Sequence, residues 1–395
     1  MATSTRSGRG AIPCGVGFSR ARESEAAGRE AVRLALETHV PTAGDLVILF
    51  TTVEYDVEAL YAAAVAEAAP ARVVGCTSTG SFTHQEQVPH GCVAALLPAD
   101  ERSFGVSHVE CDHDDIAGSA RRAVALARKR AGDRYPHSVL LLLTDGLTPD
   151  QREIARGAYE VTTAIVPFVG GAAADDLTWE RTLSFGDGRV LTNGIVAVWM
   201  NSAHPMGVSV DHGWRPAGRP MLVTRAAGTV VHELDGTPAL AAYLVEQGGG
   251  LDPGDAEFFL KVLESPVGLP NARGRYDVRQ LHAYLPDGGG INFNTGVSEQ
   301  SIVQVMSADD DALIEGARRA AADAVSHLDG KARLALVFSC GSRVPLLGDR
   351  LRDEVDAISS ALNGVPVCGF YTYGEFARTT GSSGVHNSSV AVLAL

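Results

Sequence analysis

The sequence lacks any apolar run near the ~18 residues that a membrane-spanning helix needs. Its longest apolar blocks, such as 138–144, are the size of strands. The apolar centre of a secretory leader is also missing. The opening MATSTRSGRGAIPCG is rich in Arg, Ser and Gly, so residues 1–20 are expected to be a frayed tail. Positive charge is short, with a net charge of −14. That speaks against a nucleic-acid partner, because phosphate neutralisation needs clustered Lys and Arg. It speaks equally against docking on an anionic membrane. The six cysteines (14, 76, 92, 111, 340 and 368) are scattered, with no C-x-x-C pair. This excludes a zinc knuckle and a disulfide framework, and the expectation is a cytoplasmic protein.

Several catalytic signatures are missing too. No G-x-x-x-x-G-K-[ST] is present, and His232-Glu233 lacks the second His of H-E-x-x-H. GCTSTG does not fit G-x-S-x-G. ECDHDD (110–115) has a metal-like composition. It stands before a helical pattern, however, where Asp residues cap free N–H groups. No metal and no cofactor is assigned.

What is present is a globular composition, 45% apolar and 20% charged over 395 residues, enough for two domains of ordinary size. One pattern occurs three times. The first copy places a helical face at Ala27, Ala31, Leu34 and Ala35, then the strand DLVILFTT (45–52). A second helix follows through Leu60, Tyr61 and Ala64, then RVVGCTSTGSF (72–82) and GCVAALL (91–97). The second copy has a helix over 115–131, SVLLLLTDG (138–146), and a helix introduced by Thr148-Pro149 as N-cap and first residue. VPFVGGAAADD (166–176) and NGIVAVWM (193–200) complete it. The third has a helix over 309–328, RLALVFSCGSR (333–343) and a helix through Leu351, Val355 and Ile358. VPVCGFYTYGEF (365–376) and NSSVAVLAL (387–395) end the chain. Each unit reads helix, strand, helix, strand, glycine loop, strand. The strands are apolar on both faces, so both should be covered. The predicted fold is α/β: two lobes built from three related units, with mixed sheets covered by helices. The boundary between lobes is placed in the polar 202–220 stretch.

In each unit a buried strand ends in glycine and polar residues follow. Open α/β sheets bind ligands beyond the carboxyl ends of their strands, and glycine lets a backbone approach a guest closely. The candidate ligand-binding residues are therefore Cys76, Thr77, Ser78 and Thr79 from the first tip, and Tyr371, Tyr373 and Glu375 from the third. Cys340 and Arg343 at the neighbouring strand end join them. Arg279, mid-strand among apolar neighbours, is either a surface arginine or a clamp on a ligand carboxylate. Asn387 either sits in a plain turn or faces the same pocket. Cys340 or Cys76 could alternatively serve as a nucleophile in a hydrolase or transferase, although buried cysteine is usually inert.

Those segments resemble the FIST family, named for F-box and intracellular signal transduction proteins. GVGFSRARESEAAGREAVRLAL, DLVILFTTVEYDVEALYAA and VVGCTSTG are similar to its N-terminal domain. DGTPALAAYL, SPVGLP, LALVFSCGSR, VPVCGFYTYGEF and HNSSVAVLAL are similar to its C-terminal domain. The resemblance divides the chain into 21–215 and 216–395 and implies a stand-alone sensory module. Such a module would bind a small polar metabolite, an amino acid or related organic acid, and report to a signalling partner protein. An interaction scaffold that uses its acidic surface is a third reading. The resemblance carries over no catalytic residues.

Overall fold

The computed structural model describes residues 13–249, 252, 258–271, 274–285, 289–378 and 384–395. Three six-stranded sheets of the same topology surround one core. In each unit an opening strand leads to a helix, a strand, a second helix and a strand parallel to the previous one. A hairpin and an antiparallel closing strand follow. The parallel pairs are Leu46–Thr51 with Arg72–Thr77, His137–Thr144 with Phe168–Ala172, and Ala335–Cys340 with Val367–Thr372.

The inner faces of the three sheets meet. Phe50, Val74 and Cys76 pack with Leu141, Leu143 and Val169, and with Phe338, Cys368 and Phe370. Phe50 stacks on Phe370 with ring centroids 4.3 Å apart. The outer faces carry the helices, whose contact stripes are mostly alanine: Ala27, Ala31 and Ala35 in one unit, Ala317, Ala320, Ala321 and Ala324 in another. Small side chains let a helix lie close on its sheet, which explains why all-apolar strands are covered on both faces.

The hairpins are exchanged in a closed cycle. The hairpin of the first unit (81–88) extends the third sheet beside Val367–Thr372. That of the second (184–191) extends the first sheet beside Arg72–Thr77. That of the third, Glu375–Arg378 paired with Val385–His386, extends the second sheet beside Phe168–Ala172. No unit completes its own sheet, so the three fold as one body.

The predicted units lacked their opening strands and their hairpins. Gly15–Ser19 pairs with Cys92–Leu97, so the expected tail is ordered from there; residues 1–12 lie outside the described residues. The polar 202–220 stretch contains the strand Gly207–Asp211, paired with Val390–Ala394. Helix Gln151–Thr162 is capped by Asp150, which accepts from the Arg152 N–H, and not by Thr148. Asp115 caps Ile116–Ala131 by accepting from Gly118 N–H, as the acidic stretch suggested.

Between Gly207–Asp211 and helix Asp310–Ser326 the chain makes an inserted lobe, a nine-stranded antiparallel sheet over 215–307. It has its own core of Met221, Val231, Tyr243, Phe258, Val267, Ile291 and Phe293. The two lobes are thus a three-sheet body and this insertion.

Candidate functional site

The carboxyl ends of the parallel strands meet at one end of the body. The Thr79 N–H donates to Tyr371 O at 3.2 Å, the Ala174 N–H to Thr77 O at 3.0 Å and the Tyr373 N–H to Ala172 O at 3.1 Å. Backbone from all three units is therefore tied together at the tips. Side chains follow: Thr79 Oγ1 donates to Asp175 O at 2.6 Å, and the Tyr373 hydroxyl donates to Asp175 Oδ1.

Asp175 is the hub. Its Oδ1 accepts the N–H groups of Thr178 and Trp179, both at 3.0 Å, and its Oδ2 those of Glu180 and Arg181 at 2.8 and 3.0 Å. Burial raises its pKa, but the bonds from Tyr373 and these N–H groups outweigh that and hold it below the usual range. The turn wound round this carboxylate puts Leu177 and Trp179 at positive φ, 64° and 58°. A bulky residue rarely adopts that conformation without a compensating bond network. It lays the Trp179 ring flat on Tyr373, centroids 4.0 Å apart and planes 8° from parallel. The other side of Trp179 meets His282 of the inserted lobe edge-on at 4.9 Å. His282 lines a pocket of about 220 Å³ with Phe258, Val262, Leu281, Ala283 and Tyr284.

A second polar cluster surrounds the third tip. Glu375 is fully buried. Its Oε1 accepts from Thr372 Oγ1 at 2.6 Å, and its Oε2 from Ser389 Oγ at 2.7 Å and Ser389 N–H at 3.2 Å. Burial pushes it up to about 7, against the opposing pull of the Thr372 and Ser389 bonds. Burial, and then the Glu375 charge, push the Cys340 thiol up to about 12. Ser342 Oγ donates to Cys340 Sγ at 3.2 Å and lies 3.3 Å from Ser388 Oγ. Ser388 Oγ donates to Gln280 Oε1 at 2.8 Å, and Gln280 Nε2 donates to Val262 O at 3.0 Å. A chain of polar contacts thus runs from the third tip to the wall of the lobe pocket.

The structure brings Thr79 and Tyr373 together at the hub, and Cys340 and Glu375 in the second cluster. Arg279 and Asn387 stand beside Gln280 and Ser388 in the chain. The side chains of the other five candidates are engaged away from the junction, although the Thr77 and Tyr371 carbonyls join it. Cys76 faces the shared core, where burial holds its thiol well above the ordinary range. Thr77 Oγ1 accepts the Leu183 N–H at 3.0 Å, and Ser78 Oγ lies 3.0 Å from Ser81 Oγ. Tyr371 is buried against Phe82 with its hydroxyl on Gln87. Arg343 is buried in an ion pair with Glu354 and donates to Leu313 O at 2.8 Å. Sequence reasoning missed Trp179, Gln280, His282, Ser342 and Ser388. It noted Asp175 at the second tip without carrying it to the site. The signal for Asp175 was the Asp pair after GGAAA; His282 and Gln280 gave none, because their roles depend on how the lobe seats.

Known proteins add context. The FIST N domain model matches residues 45–237 and the FIST C domain model residues 238–378. An uncharacterized protein of Mycobacterium tuberculosis is 28% identical, covering 96% of this chain and 98% of its own. An uncharacterized protein of Methanocaldococcus jannaschii is 26% identical over 54% of this chain and 40% of its own length. Among solved structures, a cyanuric acid hydrolase covers 97% of this chain and 99% of its own at 11% identity and a TM-score of 0.34. At that score the likeness carries no argument about chemistry. FIST domains are sensor domains of signal transduction. The chain belongs to the FIST family, its N domain followed by its C domain.

Proposed function

We propose that this protein is a non-catalytic sensor whose ligand, a small polar metabolite, binds where the strand tips of the body face the inserted lobe. One observation carries the location. Among the described residues, Trp179 Nε1 and His282 Nδ1, whose rings meet at that junction, and Arg279 Nε, Thr295 Oγ1 and Asn387 Oδ1, in segments that flank the Gln280–Ser388 contact, are buried without a hydrogen-bond partner. Each such atom costs about 1–3 kcal/mol. Buried polar atoms are nearly always paired in a finished structure, so a group of them around one junction marks room for a guest. Trp179 and Asn387 belong to the body, and Arg279, His282 and Thr295 to the lobe. A ligand that satisfies both sides favours one seating of the lobe, which a partner protein in the cytoplasm reads. The ligand class is an amino acid or related organic acid. Its contacts come from Thr79, Arg279, Cys340, Tyr373, Glu375 and Asn387; the side chains of Cys76, Thr77, Ser78, Tyr371 and Arg343 are engaged in the fold. We place the division between the two domains at 215/216, ahead of the point where the matching family models meet, 237/238.

The test is a thermal-shift screen against amino and organic acids. A true ligand raises Tm progressively with its concentration, by about 1.4 kcal/mol of stability at ten times its Kd. Silence across the panel at millimolar concentration would sink the reading. The alternative of a cysteine-dependent hydrolase is less well supported, since Cys340 at about 12 holds almost no thiolate at neutral pH.

A further inference from the structure

Arg102 and Arg378 also keep unpaired nitrogens, but Arg102 lies 3.7 Å from Asp100, whereas Arg279 has neither a carboxylate pair nor several carbonyls beside it among the described residues. Arg343 meets a carboxylate, Glu354, and the Leu313 carbonyl. Arg378 donates to Thr162 Oγ1 and to the Thr163 and Val166 carbonyls, and lies between the Tyr159 and Phe168 rings, 4.9 Å from each. Arg279 is only 7% exposed. Its one hydrogen bond runs from a terminal nitrogen to the carbonyl of the preceding residue, Val278, at 2.8 Å. Its Nε has no partner, and no carboxylate among the described residues pairs with it.

The acids nearest to it are engaged elsewhere. Asp277 accepts from Asn271 Nδ2 at 3.0 Å, and Asp150 holds Arg152 at 2.8 Å. The neighbouring imidazoles supply no negative charge. His386 Nε2 is bonded to Ala377 O at 2.9 Å and His212 Nε2 to Tyr276 O at 3.0 Å. The Thr295 hydroxyl is also free to donate, while the unpaired atom of Asn387 is its side-chain oxygen, an acceptor. Thr295 is placed there because the preceding Asn294 N–H donates to Gln280 O at 3.1 Å. Asn387 is placed there because Ser388 Oγ bonds Gln280 Oε1 at 2.8 Å.

A guanidinium taken out of water without a counter-charge is a heavy cost to a fold. It is also a fork of rigid donors that matches a carboxylate or a phosphate oxygen pair. We propose that Arg279, with Thr295, is the seat of an anionic group of the ligand at the junction of lobe and body. The inference rests on the sensor reading and narrows its ligand to an anion. Arg279 belongs to the lobe, and the unpaired oxygen of Asn387, on the body, is left to accept from a donor group of the same ligand.

The test is thermal shift and calorimetry in low-chloride buffer on the full chain. The probes are amino and dicarboxylic acids, each beside its neutral amide, and inorganic phosphate. The acids or phosphate are expected to stabilise the wild type, and the matched amides to bind at least ten-fold more weakly. A response to acids alone assigns a carboxylate; a response to phosphate as well assigns any tetrahedral or planar oxyanion. Arg279→Met is expected to abolish the response while leaving the ligand-free Tm unchanged or higher, because it removes a buried charge that Asp277 and Asp150 offset only through space. Arg279→Lys keeps the charge without the fork and is expected to bind at least ten-fold more weakly. Equal stabilisation by acids and amides overturns the anion seat and leaves the sensor reading standing. So does an undiminished response in Arg279→Met, while a collapse of that variant's fold would mark Arg279 as a structural support and overturn it too. Silence of every probe on the wild type overturns the sensor reading itself, and the anion seat with it.

Discussion

Phe82 of the first unit lies opposite Gly369 of the third, and the glycine is what makes room for it. A Cβ on Gly369 would stand 2.4 Å from the Phe82 ring and 2.8 Å from Val337 O. The same relationship links Phe185 to Gly75, at 2.5 Å from the ring, and places Phe376 opposite Gly170. At Gly369 and Gly75 the exchanged hairpin's ring fills the space of the missing side chain, and at Gly75 and Gly170 the carbonyl of the parallel neighbour fills it as well, Leu49 O at 1.8 Å and Leu142 O at 1.9 Å.

Gly369→Ala is accordingly expected to destabilise the body by about 1–3 kcal/mol through overpacking. In a Phe82→Ala background the ring is gone and only the Val337 carbonyl remains, so the same change should cost less. Urea unfolding of the two single variants and the double variant measures the coupling. Additive losses would show that the glycine has another role.

The Arg343–Glu354 pair gives a second expectation. Both side chains are fully buried, and Glu354 Oε1 also accepts from Ser339 Oγ at 2.8 Å. Glu354→Gln leaves the guanidinium without its counter-charge and should cost about 3–5 kcal/mol. Replacing both, as Arg343→Met with Glu354→Leu, should recover much of that loss. Chemical denaturation reports both. A neutral Glu354→Gln would mean that the pair is not a fixed part of the fold.

These two cases show what the sequence carries and where it is silent. The central strands and helices were legible because their patterns are local: DLVILFTT is apolar throughout, and Ala317, Ala320, Ala321 and Ala324 recur at helical spacing. The opening strands were not, because GVGFS and GVSVD carry glycine, a strand breaker by composition. In the structure a Cβ on Gly207 would lie 1.8 Å from Ala324 O, so the helix demands that glycine. The hairpin exchange was illegible because it pairs distant segments. The site was half legible for the same reason. Tyr373 and Glu375 announce themselves as polar residues after a buried strand, whereas Arg343 looked equally available until Glu354, eleven residues on, took its charge.

Glu375 makes stability depend on pH in a known direction. Its folded pKa is raised from 4.5 to about 7, so the folded state favours the protonated carboxyl. That contribution is fully present below the unfolded value and is lost as pH rises through about 7. The shift corresponds to about 3 kcal/mol at most. Glu375→Gln mimics the protonated form, and relative to wild type it should gain stability from about pH 5 to about pH 7 and level off above that. Urea midpoints across that range test this. A difference that stays constant with pH would show that Glu375 does not titrate there.

Cys340 supplies the last expectation, and it separates binding from thiol chemistry. Burial and the Glu375 carboxylate push its thiol up to about 12. The thiolate is the reactive species, and a free cysteine near 8.5 holds several per cent of it at neutral pH. Cys340 should hold about a thousand-fold less, and its 7% exposure slows access further. Iodoacetamide at pH 7.5, followed by peptide mass spectrometry, should label it more slowly than free cysteine by at least that factor. Glu375→Gln removes the repelling charge and should speed the reaction modestly without making it fast. Rapid labelling of Cys340 in the wild type would reverse the choice between the two readings, because a low-pKa thiol at a strand tip is the equipment of a nucleophile and not of a ligand cradle.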